Sequence, residues 1–300
     1  MTDYSHLAIS GGGLYGVCML GVLRYLYIEN KLKNVKYVAG NSIGSFFALA
    51  FCLNIDIIDL ENIIKEIICD KNITINNNNL GNIFIYNGIL DLNLILNKLR
   101  KYINKKYNIN DITFVELSKK FGKNLYISTT NINTGENIIF STDNYPNVSI
   151  FDATCASMAI PYLVIPVKIN NEYYVDGLLT NNFPLNIFEN VHKDNILGIV
   201  IKISSNYYIK NIENDNINFT DFNKRIFEIL FIKLAETTFI KYINKDNANI
   251  LVIEDSPIRD FIPFEINSQN VDLEFNNDDI DNLILDGFIK ISNYFKLYNI

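Results

Sequence analysis

Short apolar runs alternate with longer amphipathic segments along the first half of the chain. Residues 7–9 and 36–39 are apolar enough for buried strands, and each run is followed by apolar residues at helical spacing. Helices are therefore predicted over residues 14–27 and from Ile43 onward. This strand–helix order predicts an α/β protein of three α/β/α layers, with a central mostly parallel sheet covered on both faces.

The same periodicities predict the later elements. Asp91 is placed as the cap of a helix that ends near Tyr102, and Thr113 with Glu116 has the spacing of a capping box. Further helices are predicted over residues 57–68, 153–159, 223–242 and 279–294, and strands over 125–129, 137–140, 164–169, 172–175, 196–203 and 250–253. The chain divides into a core at residues 1–205 and a helical and strand extension at 206–300, packed on the same domain.

Composition excludes several classes of partner. The net charge is −7 with a pI near 5.0, so no overall field attracts nucleic acid, and none is expected as a partner. The four cysteines form no C-x-x-C pair, which indicates free thiols of a reducing compartment. Neither a signal peptide nor an apolar run of the ~18–20 residues needed to span a bilayer is visible. We expect a soluble cytoplasmic or intracellular protein with peripheral membrane contact.

Ser42 is the strongest candidate for chemistry. It lies in Gly40-Asn41-Ser42-Ile43-Gly44, between a predicted strand and a predicted helix, which is the context of a nucleophile elbow. Gly40 and Gly44 allow the sharp turn, and the N-terminus of the following helix favours developing negative charge. The pattern predicts a nucleophilic serine.

A glycine-rich loop separates the first strand from the first helix. Its sequence, Gly11-Gly12-Gly13-Leu14-Tyr15-Gly16, also matches a dinucleotide fingerprint, but the second strand ends without the carboxylate that would hold a ribose. A tight turn alone explains one or two of these glycines. The backbone N–H groups of Gly12 and Gly13 are predicted to form an oxyanion hole beside the serine.

The base that would activate the serine has two candidates. Asp176 ends an apolar strand and is followed by Gly177, so it is either a partly desolvated base or the cap of an Asp-Gly turn. His192 follows Asp176 in the order that a Ser–Asp–His triad requires, but it lies in a polar turn. His6 precedes the first strand and is interpreted as a surface residue. Local sequence alone leaves the choice open.

Together these motifs resemble the patatin-like phospholipases. The glycine-rich loop, Gly-x-Ser-x-Gly and late Asp-Gly occur in that family's order, and residues 153–161, 174–177 and 181–184 are similar to its block around the aspartate. Residues 113–117 resemble a further family segment, so the similarity covers roughly residues 5–205. One departure is Tyr15, where the family's loop usually carries Arg or Lys. Another is Leu178, where it often has a second glycine.

The resemblance implies a lipid acyl hydrolase that works through an acyl-enzyme, without a metal or other cofactor. Ser42 would be the nucleophile, Asp176 the base and the Gly11–Gly13 amides the oxyanion hole. The implied partners are a lipid or phospholipid substrate and, transiently, a membrane or micelle surface. Residues 73–89 mix asparagines with apolar side chains, and we interpret them as a lid or membrane-contact loop. Two alternatives stay open: an inactive lipid-binding or scaffold protein of the same fold, and an esterase with a Ser42–Asp176–His192 triad.

Overall fold

A computed structural model describes residues 4–68, 75–76, 85–88, 90–203, 219–243, 248–254, 264–266, 270–273 and 276–298. Its strands are β1 (His6–Ile9), β2 (Tyr37–Asn41), β3 (Ile75–Asn76), β4 (Asn124–Asn131), β5 (Asn137–Phe140), β6 (Val167–Ile169), β7 (Glu172–Asp176), β8 (Ile196–Lys202), β9 (Asn249–Glu254), β10 (Phe264–Ile266) and β11 (Asn270–Leu273). Its α-helices are α1 (Met19–Ile28), α2 (Ile43–Cys52), α3 (Ile57–Ile68), α4 (Asn93–Tyr107), α5 (Phe114–Phe121), α6 (Ile150–Ser157), α7 (Phe219–Ile243) and α8 (Asn277–Tyr298).

The main sheet is parallel at its centre and antiparallel at one side. Its order is β6-β7-β4-β2-β1-β8-β9, and the neighbours from β4 through β9 pair in parallel. β7 runs antiparallel to both β4 and β6, and β5 also pairs with β4 in the antiparallel sense. Strands β10, β11 and β3 form a separate small antiparallel sheet.

Side chains alternate between two cores along the central strands. Leu7 and Ile9 of β1 face the larger core, which α1, α2, α6 and α8 cover, whereas Ala8 faces a smaller core with Phe183 and Phe188. The smaller core also contacts α7 through Tyr242. Successive strand residues point to opposite faces of the sheet, and each face packs against one of these two cores. Both faces of the sheet are therefore buried. The predicted three-layer α/β/α fold is confirmed.

Most predicted elements are present with shifted ends. The helix predicted over 14–27 begins instead as a 3₁₀ turn over Gly13–Cys18 and becomes α-helical at Met19. The prediction that Asp91 is the cap of the next helix is wrong by one residue, because its N-cap is Leu92, although the Asp91 carboxylate accepts the Asn93 N–H at 2.9 Å. That helix runs to Tyr107, five residues beyond the prediction. The capping box between Thr113 and Glu116 is complete.

The C-terminal segment pairs with the main sheet and packs against the N-terminal helix. β9 pairs with β8 in the main sheet, and α8 packs against α1 so closely that a Cβ at Gly21 would lie 1.8 Å from the Ile284 carbonyl oxygen. The predicted boundary at residues 205–206 lies outside the described residues, so the division of the chain stays a prediction. The predicted lid over 73–89 lies mostly outside them too.

Candidate active site

Ser42 occupies the turn between β2 and α2. Its backbone has φ 51° and ψ −132°, a region that residues with side chains rarely adopt. The flanking glycines permit that turn: a Cβ at Gly40 would lie 2.5 Å from the Gly44 carbonyl oxygen, and one at Gly44 would lie 2.4 Å from that of Ser10. The Ser42 N–H donates to Oγ of Ser157 at 2.9 Å, which anchors the turn to α6.

Asp176 lies at the same end of the central strands as Ser42, although its own strand runs in the opposite direction. In register, β2 places Asn41 beside Ser128 of β4, and β7 ends with Asp176 beside Thr129 of β4. Because β7 is antiparallel to β4, its last residue returns to the point where β2 ends. Asp176 is only 1% exposed.

The two carboxylate oxygens of Asp176 have different surroundings. Oδ1 accepts the Leu178 N–H at 2.8 Å and the Asn41 Nδ2 at 3.2 Å. Oδ2 is buried without a hydrogen-bond partner among the described residues. Burial raises the pKa of Asp176 to about 6, and the nearby Ser42 hydroxyl, with the Leu178 N–H and the Asn41 amide, opposes that rise. The Ser42 hydroxyl is thus close to the carboxylate but does not complete a hydrogen bond with Oδ2.

The glycine-rich loop lies directly against Ser42. A Cβ at Gly11 would lie 3.1 Å from the Ser42 Cβ, and one at Gly16 would lie 2.3 Å from Ile43 Cγ2. The Gly11 N–H donates to the carbonyl of Asn182 at 3.0 Å, so this amide is already engaged. Within the described part of the chain, the backbone N–H groups of Gly12 and Gly13 donate no hydrogen bond. They are the better candidates for oxyanion donors.

Neither histidine of the chain reaches this site. His192 precedes β8, and its side chain is 71% exposed beside Asp194. His6 pairs in register with Ile196 at the amino ends of the parallel strands, and its ring stacks on Tyr37. His6 is also level with Tyr37 of β2, and Ser42 lies five residues beyond Tyr37, roughly 16 Å further along the strand direction. The alternative that uses His192 in a triad is therefore not supported by its position.

Three buried polar residues complete the site, and sequence reasoning assigned none of them a role. Asn41 is the first of the two variable residues in the Gly-x-Ser-x-Gly motif, Ser157 lies in α6, and Asn182 follows the Asp-Gly turn. Their side chains form hydrogen bonds to one another, to the Ser42 N–H and to Asp176. The one sequence signal that could have indicated them is a polar residue at the end of an apolar run. Such a residue lies at the end of the sheet, where buried polar groups need hydrogen-bond partners.

Tyr15 is part of a separate polar cluster. Its hydroxyl donates to Oδ2 of Asp286 at 2.6 Å and accepts from Nζ of Lys290 at 2.8 Å. Both partners belong to α8, so the turn after the glycine-rich loop is attached to the C-terminal helix.

The described residues show neither a metal cluster nor a membrane span. No group of three or more His, Cys, Asp or Glu among them could hold a metal ion. No helix in the described ranges combines the length and the apolar character needed to cross a bilayer. Cys18, Cys52 and Cys155 are free and buried, as expected, and Cys69 lies outside the described residues.

An α/β sheet with a serine at a strand–helix elbow beside a buried aspartate defines a class of hydrolase-like folds, and comparison with known proteins identifies the family. The model of the patatin-like phospholipase family matches residues 7–189. The match covers more than half of the chain, and the chain belongs to this family.

Curated relatives include two viral proteins. Protein R571 of Acanthamoeba polyphaga mimivirus is uncharacterized and is 30% identical over 200 residues, covering 66% of this chain and 65% of the relative. The probable lipid hydrolase 463L of Invertebrate iridescent virus 6 is 32% identical over 191 residues, covering 63% and 64%. The matched region thus spans slightly less than two thirds of each relative.

Solved structures show the same fold. VipD from Legionella pneumophila superposes with a TM-score of 0.57 at 16% identity, over 97% of this chain and 66% of VipD. The type III effector ExoU of Pseudomonas aeruginosa gives a TM-score of 0.50 at 16% identity, over 98% and 53%.

Proposed function

We propose that this protein hydrolyses carboxylic acyl esters of lipids, as a phospholipase A or lysophospholipase does, with Ser42 as nucleophile and Asp176 as base. One observation carries the proposal: a buried aspartate with a raised pKa has one unpartnered oxygen beside a serine at a helix N-terminus. Membership of the patatin-like phospholipase family and the relative named a probable lipid hydrolase support the substrate class.

The reaction proceeds in two steps. Ser42 attacks the ester carbonyl while Oδ2 of Asp176 takes the hydroxyl proton, and the amides of Gly12 and Gly13 stabilise the tetrahedral oxyanion. The protonated Asp176 then gives that proton to the leaving alcohol. The same carboxylate then takes a proton from water as the water attacks the acyl-serine, and it passes that proton to Ser42 Oγ as the fatty acid is released. A carboxylate with a pKa of about 6 is suited to both roles near neutral pH.

Covalent labelling by a fluorophosphonate probe tests the proposal. The wild type is compared with Ser42→Ala, Asp176→Asn and His192→Ala, each also assayed for fatty-acid release from phospholipid micelles. We expect labelling and release to be lost in the first two variants, by at least roughly a thousandfold. His192→Ala, which alters an exposed side chain, should match the wild type.

Two results would contradict the proposal. Loss of activity in His192→Ala would indicate a histidine base. No labelling and no fatty-acid release by folded wild-type protein, with micelle binding that Ser42→Ala leaves unchanged, would indicate a non-enzymatic lipid-binding protein instead.

A further inference from the structure

Two buried asparagines lie between the proposed base and the glycine-rich loop. Asn41 is fully buried and Asn182 is 3% exposed. The Asn41 carboxamide donates one N–H to Oδ1 of Asp176 at 3.2 Å and the other to Oδ1 of Asn182 at 3.0 Å. Both donors of this amide are thus used, so its orientation is determined on two sides.

Asn41 determines which oxygen of the base is available. Together with the Leu178 N–H, it gives Oδ1 of Asp176 two donors, while Oδ2 has none among the described residues. Rotation of the carboxylate would break both hydrogen bonds to Oδ1. The carboxylate therefore presents Oδ2 as the proton acceptor.

Asn182 links this arrangement to the glycine-rich loop. Its backbone carbonyl accepts the Gly11 N–H at 3.0 Å. Its side-chain oxygen packs against Gly11 so closely that a Cβ there would lie 2.3 Å from it. The next residue, Phe183, is fully buried and packs edge-on against Tyr242 of α7 at 5.5 Å between ring centroids. Asn182 is thereby held between the loop and the smaller core.

We propose that Asn41 and Asn182 are positioning residues that hold the Asp176 carboxylate and the glycine-rich loop in register with Ser42. The inference rests on the proposed function, since it assigns roles within that reaction. Neither side chain is a proton donor or acceptor in the chemistry. Each limits the movement of the groups that take part, which are the Asp176 carboxylate and the glycine-rich loop.

Steady-state kinetics of a soluble p-nitrophenyl acyl ester, measured across pH, tests this proposal. Asn182→Ala removes the side-chain acceptor that orients Asn41, and Asn41→Ser removes the donor to Asp176. The matched control is Asn181→Ala, because Asn181 is also buried but its side chain donates to Asn137 and Asn186 instead. Thermal unfolding of every variant separates kinetic effects from loss of folded protein.

Both test variants should lower kcat about ten- to hundredfold with little change in KM, because Asn41→Ser removes, and Asn182→Ala weakens, the hydrogen bond from residue 41 to the charged Asp176. The acidic limb of their kcat/KM profiles should also move to higher pH, because a donor that stabilises the Asp176 carboxylate is lost or weakened. Asn181→Ala should keep the wild-type kcat and pH profile.

Wild-type kcat and an unmoved acidic limb in either folded variant would overturn the proposal, and so would an equal effect in Asn181→Ala. If Asn182→Ala does not fold, Asn41→Ser decides alone. Failure of the proposed function gives a different result, because wild-type protein would then show neither probe labelling nor ester turnover.

Discussion

The Nδ2 atom of Asn41 lies 3.2 Å from Oδ1 of Asp176, although 135 residues separate the two in the chain. The contact exists because β7 runs antiparallel to β4 and returns Asp176 to the end of β2. It directs the unpartnered oxygen Oδ2 away from Asn41. The protonation state of Asp176 is therefore expected to affect both the proposed activity and the stability of the fold.

Activity should fall on the acidic side of pH 6. Burial raises the pKa of Asp176 to about 6, and only the carboxylate can accept the Ser42 proton. We expect kcat/KM to fall roughly tenfold for each pH unit below that value. Ester hydrolysis measured from pH 4 to 8, with the folded fraction checked at each pH, gives the profile. Undiminished kcat/KM at pH 4.5 would show that a different group is the base.

Asp176→Asn should stabilise the fold at neutral pH while abolishing activity. The pKa of this carboxyl is about 6 in the folded chain against 3.8 for the free group, so folding favours the protonated form. Its favourable contribution is complete below pH 4 and is lost as the pH rises through 6. The variant should therefore gain about 2–3 kcal/mol in unfolding free energy at pH 7.5, with the gain shrinking towards pH 4. Urea unfolding at both pH values measures this; an equal gain at pH 4 and pH 7.5 would contradict the assignment.

Gly177→Ala should reduce activity more than its effect on stability explains. A Cβ at Gly177 would lie 2.2 Å from Oδ1 of Asn41 and 2.8 Å from the Ser128 carbonyl oxygen. Overpacking of this kind costs about 1–3 kcal/mol, and here it would displace Asn41 from the base. kcat and thermal unfolding are the measurements.

Gly122→Ala is the control for that substitution. Gly122 has φ 65° and open space where a Cβ would lie, so alanine there costs about 1–2 kcal/mol through its backbone alone. It should leave kcat unchanged. A Gly177→Ala variant with wild-type kcat would remove the steric argument.

Gly287→Ala should separate α8 from the core and weaken the active site. A Cβ at Gly287 would lie 2.0 Å from the Cys18 carbonyl oxygen, in the turn that the Tyr15 hydroxyl attaches to Asp286. We expect a loss of about 1–3 kcal/mol in unfolding free energy, with slower fluorophosphonate labelling. Ile289→Ala, on the 48% exposed side chain of Ile289 in the same helix, should change neither quantity. Equal behaviour of the two variants would show that α8 is dispensable for the site.

Local pattern was sufficient for most elements. The helix over Ile57–Ile68 and the strand over Asn137–Phe140 have the predicted bounds. Apolar residues at helical spacing predict the first, and a short apolar run predicts the second. Asn170 and Asn171, which separate the predicted strands over 164–169 and 172–175, both have positive φ, which asparagine tolerates. The antiparallel pairing of β7 with β4 was not predicted, since that partner lies more than 40 residues away in sequence.

The sequence by itself determined the α/β class, the elbow at Ser42 and the candidate aspartate, because strand–helix alternation and glycine spacing are local properties of the chain. Tertiary structure alone decided which groups meet at the carboxyl edge of the sheet. It brought Asp176 to the end of β2, engaged the Gly11 amide with Asn182 and left His192 exposed at the amino edge. Strand order and direction set these distances, and they are the result of packing the whole chain around two cores.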